Sequence, residues 1–122
     1  MKKIHVKVLN TDSAPDKVGD HFDNAQIDFG YGGTVPVRLS FNRNALDLGF
    51  ADLERSKDAV YATATVPDEV VDLHLTPCIM GVLYEKHEDG SPRRVSINAL
   101  IFTASCNVDP RIGPVTGADV VE

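Results

Sequence analysis

The feature that most constrains this chain is a strict two-residue alternation that recurs along it. Thr34 to Phe41 is the clearest case, with Val35, Val37, Leu39 and Phe41 on one side and Pro36, Arg38 and Ser40 on the other. Side chains of an extended strand point alternately to its two faces, so this pattern predicts a strand with one face in a core. Lys3 to Leu9 repeats it with Ile4, Val6 and Val8 against Lys3, His5 and Lys7, and places His5 on the exposed side. Ala59 to Val66 repeats it again, with Val60, Ala62, Ala64 and Val66 against Tyr61, Thr63 and Thr65.

Shorter or less regular segments complete a β-rich reading. Ala25, Ile27 and Phe29 alternate up to Gly30-Tyr31-Gly32-Gly33, whose glycines permit positive φ and predict a hairpin reversal. No Gly-Lys-Ser/Thr follows and a strand comes next, so the cluster is not a phosphate loop. Pro36 has no amide hydrogen, which predicts an edge strand or an unpaired position. Leu46 to Leu53 is extended, with Gly49 marking a bend or bulge.

Pro67-Asp68-Glu69 opens the one helix of the reading, with Val70, Val71 and Leu73 on its buried side and Pro77 as its stop. Cys78 to Glu85 and Arg93 to Ser105 are extended around the turn signal Asp89-Gly90. Alternation in the second of these arms sets Val95, Ile97, Ala99, Ile101 and Thr103 against Ser96, Asn98, Leu100, Phe102 and Ala104, so its later half is apolar on both faces. That predicts a central strand, or one that meets a partner.

The expected fold is therefore mainly β, a β-sandwich or small β-barrel with one short helix, occupying residues 1–106. Residues 107–122, with Pro110, Gly113, Pro114 and Gly117, are expected to form an extended C-terminal arm. At 122 residues the chain has material for one core.

A formal charge of -6 disfavours phosphate backbones and anionic membranes, and Arg93-Arg94 is too small a patch to reverse that. No apolar run is long enough for a signal peptide or a membrane span, because Lys7 and Asn10 interrupt the first candidate. The expected compartment is a cytoplasm, and Cys78 and Cys106 are accordingly expected to be reduced.

Catalytic candidates are few. His74 and Cys78 are four apart, which on a continuous helix would place imidazole beside thiol, but Pro77 between them breaks that geometry. Ser96 and Ser105 lie in a strand, and an acyl-transfer site there would need the fold to bring up His5, His21 or His74. Asp20, His21 and Asp23 lack a companion pair of metal ligands, and Asp12, Asp16 and Asp20 lack the rest of a calcium loop. His87 belongs to a charged run before a turn. No metal and no cofactor is expected.

Three segments in order, "VPVRLSFNRNALDLGFADLERSKDAVYATATVPD", "LTPCIMG" and "SINALIFTASCNVDPRI", resemble the tailed-phage prohead (capsid maturation) protease family. The resemblance runs from Val35 to Ile112. It departs from the family at the chemistry: Asn42-Arg43 stand where the pattern has its His, and Cys78 or Ile79 stands where it has its nucleophilic Ser. The resemblance thus implies a phage head protein on a protease-like β-fold with its cleavage chemistry missing or altered.

The leading expectation is a noncatalytic, capsid-binding structural protein of the decoration type. It would be located in the virion after assembly in the host cytoplasm, and its partner would be the major capsid protein or a second copy of itself. Leu100, Phe102, Val108, Pro110 and Ile112 are the expected partner-binding residues. A Cys- or Ser-dependent hydrolase using Cys78, His74 or Ser96 is the alternative, and a small acidic inhibitor of a host enzyme is a third.

Overall fold

The computed structural model describes residues 1–11, 27–41, 44–83, 95–104 and 111–121. Among these residues eight strands make one sheet: β1 (Lys2–Asn10), β2 (Ile27–Phe29), β3 (Thr34–Phe41), β4 (Asn44–Arg55), β5 (Ala59–Val66), β6 (Thr76–Leu83), β7 (Val95–Thr103) and β8 (Val120–Val121). Among the described residues a single α-helix, α1 (Asp68–Asp72), lies between β5 and β6. The mainly β expectation holds, and the strand boundaries follow the period-two pattern closely. The sheet is not closed.

From one edge to the other the sheet runs β6, β7, then β2 and β3 in tandem, β4, β5, β1 and β8. β3–β4, β4–β5, β5–β1, β1–β8 and β6–β7 are antiparallel. β2 and β3 both run parallel to β7, Ile27 beside Val95 and Val37 beside Leu100. The sheet curls until β6 packs back against β1 with no ladder between them. One face surrounds the core. Ile4, Val35, Val37, Val60, Val66, Val70, Leu75, Ile97, Leu100, Phe102 and Val115 are all essentially inaccessible there.

Three expectations about connections change. The Gly30–Gly33 segment is not a hairpin reversal, because β2 and β3 continue along the same side of β7. It is a 3-10 turn that loops out of an interrupted strand, with Tyr31 (φ 53, ψ 31) and Gly32 (φ 71, ψ 15) in the dihedrals of a type I′ turn. β3 is not an edge strand, since β4 and β7 flank it. Its ladder to β7 begins at Val37, one residue after Pro36, so the missing donor of the proline falls outside those rungs.

The third change concerns the C-terminus, which is not an arm apart from the domain. Val115 is fully buried, and its amide donates to the Leu75 carbonyl at 2.8 Å. Thr116 and Asp119 cap each other's backbone around a 3-10 turn, and β8 then pairs with Lys3 and Ile4 of β1. The segment straps the region where the curled sheet fails to close. Pro110, Gly113, Pro114 and Gly117 signal irregular backbone, but whether such backbone packs depends on the receiving surface, which is non-local.

Two of the three bulges among the described residues set the faces of β4 and β7; the remaining one skips Val8 of β1 in its ladder with β5. Between β3 and β4 the register skips Leu48, beside Gly49 at φ 110, as the central glycine predicts. Between β6 and β7 it skips Asn98, with Met80 opposite Ala99 and Gly81 opposite Ile97. The second bulge shifts the phase of β7, so that Val95, Ile97, Leu100 and Phe102 all reach the core. Gly81 is required opposite it, because a Cβ there would run into the Ser96 carbonyl oxygen.

Candidate functional site

The residues singled out for chemistry do not converge. α1 ends at Leu73 in a Schellman turn, with the amides of His74 and Leu75 bonding the carbonyls of Val71 and Val70. His74 occupies the left-handed position of that turn at φ 50, and its Nδ1 lies 3.2 Å from the Val115 carbonyl, to which it donates when protonated there. Cys78 follows on β6 rather than on the helix, so the four-residue spacing never becomes a shared helical face.

Cys78 is moreover disulfide-bonded, which corrects the expectation of two reduced thiols. The only other cysteine of the chain is Cys106, which lies outside the described residues. Compartment reasoning favoured the thiols, but spatial proximity decides whether a bond can form. Ser96 is buried and its Oγ donates to Asn98 Oδ1 at 2.9 Å, which holds the hydroxyl inside the β7 bulge. His5 is half-buried rather than exposed, stacked on Tyr61 with ring centroids 4.9 Å apart. Neither Cys78 nor Ser96 therefore stands as a poised nucleophile.

His21, His87, Ser105, the Asp12 to Asp23 acids and Arg93-Arg94 lie outside the described residues. Among the described residues no group of three potential metal ligands occurs, and no helix is long and apolar enough to cross a membrane.

The expected partner-binding residues divide similarly. Leu100 and Phe102 are wholly inaccessible, so they belong to the core and cannot be touched from outside. Alternation without the bulge put them on a second, outer face. With it they join Val95 and Ile97 inside. Val108 and Pro110 lie outside the described residues. Ile112 is half-buried and, with Val6, Lys7, Arg111 and Pro114, lines an open pocket of about 290 Å³ beside the strap.

What the fold does expose is a row of apolar side chains crossing four adjacent strands on its outer face. Phe50 on β4 is opposite Pro36 on β3. The parallel register of Val37 with Leu100 sets Pro36 beside Ala99 on β7, and Ala99 is opposite Met80 on β6. Phe50 is 67% exposed and Met80 46%, whereas Pro36 and Ala99 are half-buried between them. One rung along, Ile101 lies between Arg38 and Cys78, and Arg38 pairs with Asp47 at 3.3 Å.

The row consists of residues whose strand neighbours point inward: Val35, Val37, Ala51 and Leu100 are buried. Single exposed apolar residues are ordinary, but four in register form a contiguous surface of the kind that mediates contacts. Sequence reasoning located the four strands of the row and the Gly49 bulge yet did not single out Phe50 or Met80. The available signal was a large apolar residue on the outward phase of each strand; their alignment into a row needed the register.

The chain matches no protein-family model, no curated protein and no solved structure.

Proposed function

We propose that this protein is a noncatalytic structural component of a tailed-phage head that works through protein–protein contact made by the Phe50–Pro36–Ala99–Met80 row. The observation that carries the reading is the row itself: two large apolar side chains are held out on a rigid sheet, where ordering them in an interface costs little backbone entropy. The resemblance of Val35 to Ile112 to the prohead protease family supplies the phage context. The Cys78 disulfide supports it as well, because such bonds persist on virion surfaces and in other oxidising settings.

The acidic balance fits a protein partner better than nucleic acid or an anionic membrane. No observation favours the hydrolase alternative, since Cys78 is bonded to sulfur and the Ser96 hydroxyl is occupied within a bulge. The test is to purify phage particles and quantify the chain in them, with wild type compared against the double substitution Phe50→Ser, Met80→Ser. Wild type is expected in numbers comparable to the shell subunits and the variant is expected to be lost from particles with its unfolding curve unchanged. A wild-type chain absent from washed particles would overturn the reading.

A further inference from the structure

The C-terminal strap meets β1 along only part of its length. β8 pairs with Lys3 and Ile4, and the 3-10 turn just before it, Gly117–Asp119, arches off the strand. The edge of β1 at Val6 and Lys7 therefore faces the pocket of about 290 Å³ rather than another strand. Arg111, Ile112, Pro114, Thr116 and Asp119 supply its far wall.

The polar groups of this pocket are mostly donors. Lys7 is exposed and has no ion-pair partner among the described residues. Arg111, which is engaged within the chain, brings a second positive charge to the wall. The Thr116 hydroxyl accepts from the Ala118 amide at 3.3 Å, which leaves its own hydrogen to donate. The one acid, Asp119, is turned to its own backbone, where Oδ2 accepts from the Thr116 amide at 2.8 Å. Val6, buried, and Ile112, half-buried, add apolar contact beside these donors.

Donors gathered around a small space select a group that only accepts, and an ionised carboxylate is such a group. Charge narrows the choice further. Two cations against one carboxylate suit a monoanion, whereas the formal charge of -6 on the whole chain repels a dianionic phosphate more strongly. Size excludes a cofactor: about 290 Å³ is at the small end of ligand sites and holds roughly one residue.

We infer that this pocket is a carboxylate-binding site, filled by a carboxylate that a protein partner carries at its chain terminus or on an acidic side chain. The β1 edge beside it leaves room for the extended segment bearing that group. β5 lies between β1 and β4, so the site is separate from the Phe50–Met80 row and does not depend on the role proposed for it.

The experiment is titration of the isotope-labelled chain, followed by its amide chemical shifts. The probes are acetyl-Ala-Val with a free carboxylate, the same dipeptide as its C-terminal amide, acetyl-Ala-Glu-Ala amide, and inorganic phosphate. At least one carboxylate probe is expected to give saturable shifts at Lys7, Ile112 and Thr116, with a dissociation constant on the order of 1 mM. The tighter of the two names the source of the carboxylate, and the dipeptide amide is expected to bind at least about tenfold more weakly than that probe. Lys7→Gln is expected to weaken binding about fivefold and Lys7→Arg to restore it. Lys3→Gln removes the same charge from the same strand outside the pocket and is expected to change affinity less than about twofold. Urea unfolding confirms that each variant is folded.

No saturable shift up to about 20 mM of either carboxylate probe would overturn the site. So would a dipeptide amide that binds as well as the carboxylates, phosphate that binds more tightly than both, or equal losses from Lys7→Gln and Lys3→Gln.

Discussion

Removing the disulfide at Cys78 is expected to cost this fold a large share of its stability, and the size follows from the chain it encloses. Cys78 is bonded and the only other cysteine is Cys106, so the cross-link closes a loop that contains the whole of β7 and the connection from β6. For a loop of about 29 residues, loop-closure entropy gives roughly 12 cal/mol/K, or about 3.5 kcal/mol at 25 °C.

A domain of this size is stable by about 5–15 kcal/mol in total. With a urea dependence of about 2 kcal/mol/M, the unfolding midpoint should fall by roughly 1.8 M. The melting temperature should fall by about 14 °C, from a specific unfolding entropy of ~2.1 cal/mol/K per residue. The assay is urea unfolding followed by circular dichroism, because the chain has no tryptophan. Oxidised wild type is compared with wild type in a phosphine reductant and with the double substitution Cys78→Ala, Cys106→Ala. The reduced protein and the double variant should fall together. A midpoint that does not move, or two thiols titrating in the denatured protein without reductant, would refute the reasoning.

Three further outcomes are expected. Gly81→Ala should destabilise by about 2 kcal/mol, read as a lower urea midpoint, because its Cβ meets the backbone carbonyl of Ser96 rather than a side chain that can turn away. Arg55→Lys should cost about 1 kcal/mol and speed amide exchange in β2. The Arg55 guanidinium both donates to the Ile27 carbonyl and lies 4.5 Å from the centre of the Phe29 ring, and an ammonium cannot do both in one plane. Tyr31→Asn should raise stability by about 0.5–1 kcal/mol, seen as a higher melting temperature. Tyr31 is 75% exposed at φ 53, so it contributes little packing at a turn position that asparagine tolerates better.

Replacing His74 by glycine relieves a left-handed backbone but loses the ring's bond to the Val115 carbonyl, so the melting temperature is expected to stay nearly unchanged.

What could be read from the sequence was whatever a few consecutive residues decide. β3 and β5 begin and end where alternation begins and ends, because the side-chain period of a strand is local geometry. The start of α1 after Pro67, its stop before Pro77 and the bulge at Gly49 are local for the same reason. The outer row was half legible: each strand announced an outward phase, but which residues stood beside one another did not follow.

Only the tertiary structure decided the rest. The bulge at Asn98 has no glycine of its own; it is imposed by the pairing of β7 with Gly81 on β6, and it moves Leu100 and Phe102 from an expected surface into the core. The strap at Val115 and the bond at Cys78 likewise join residues distant in sequence, so no local propensity records them. Strand identity is a property of neighbours along the chain. Strand order, register and the surface they leave exposed depend on which distant segments bury one another, and that is settled only when the core closes.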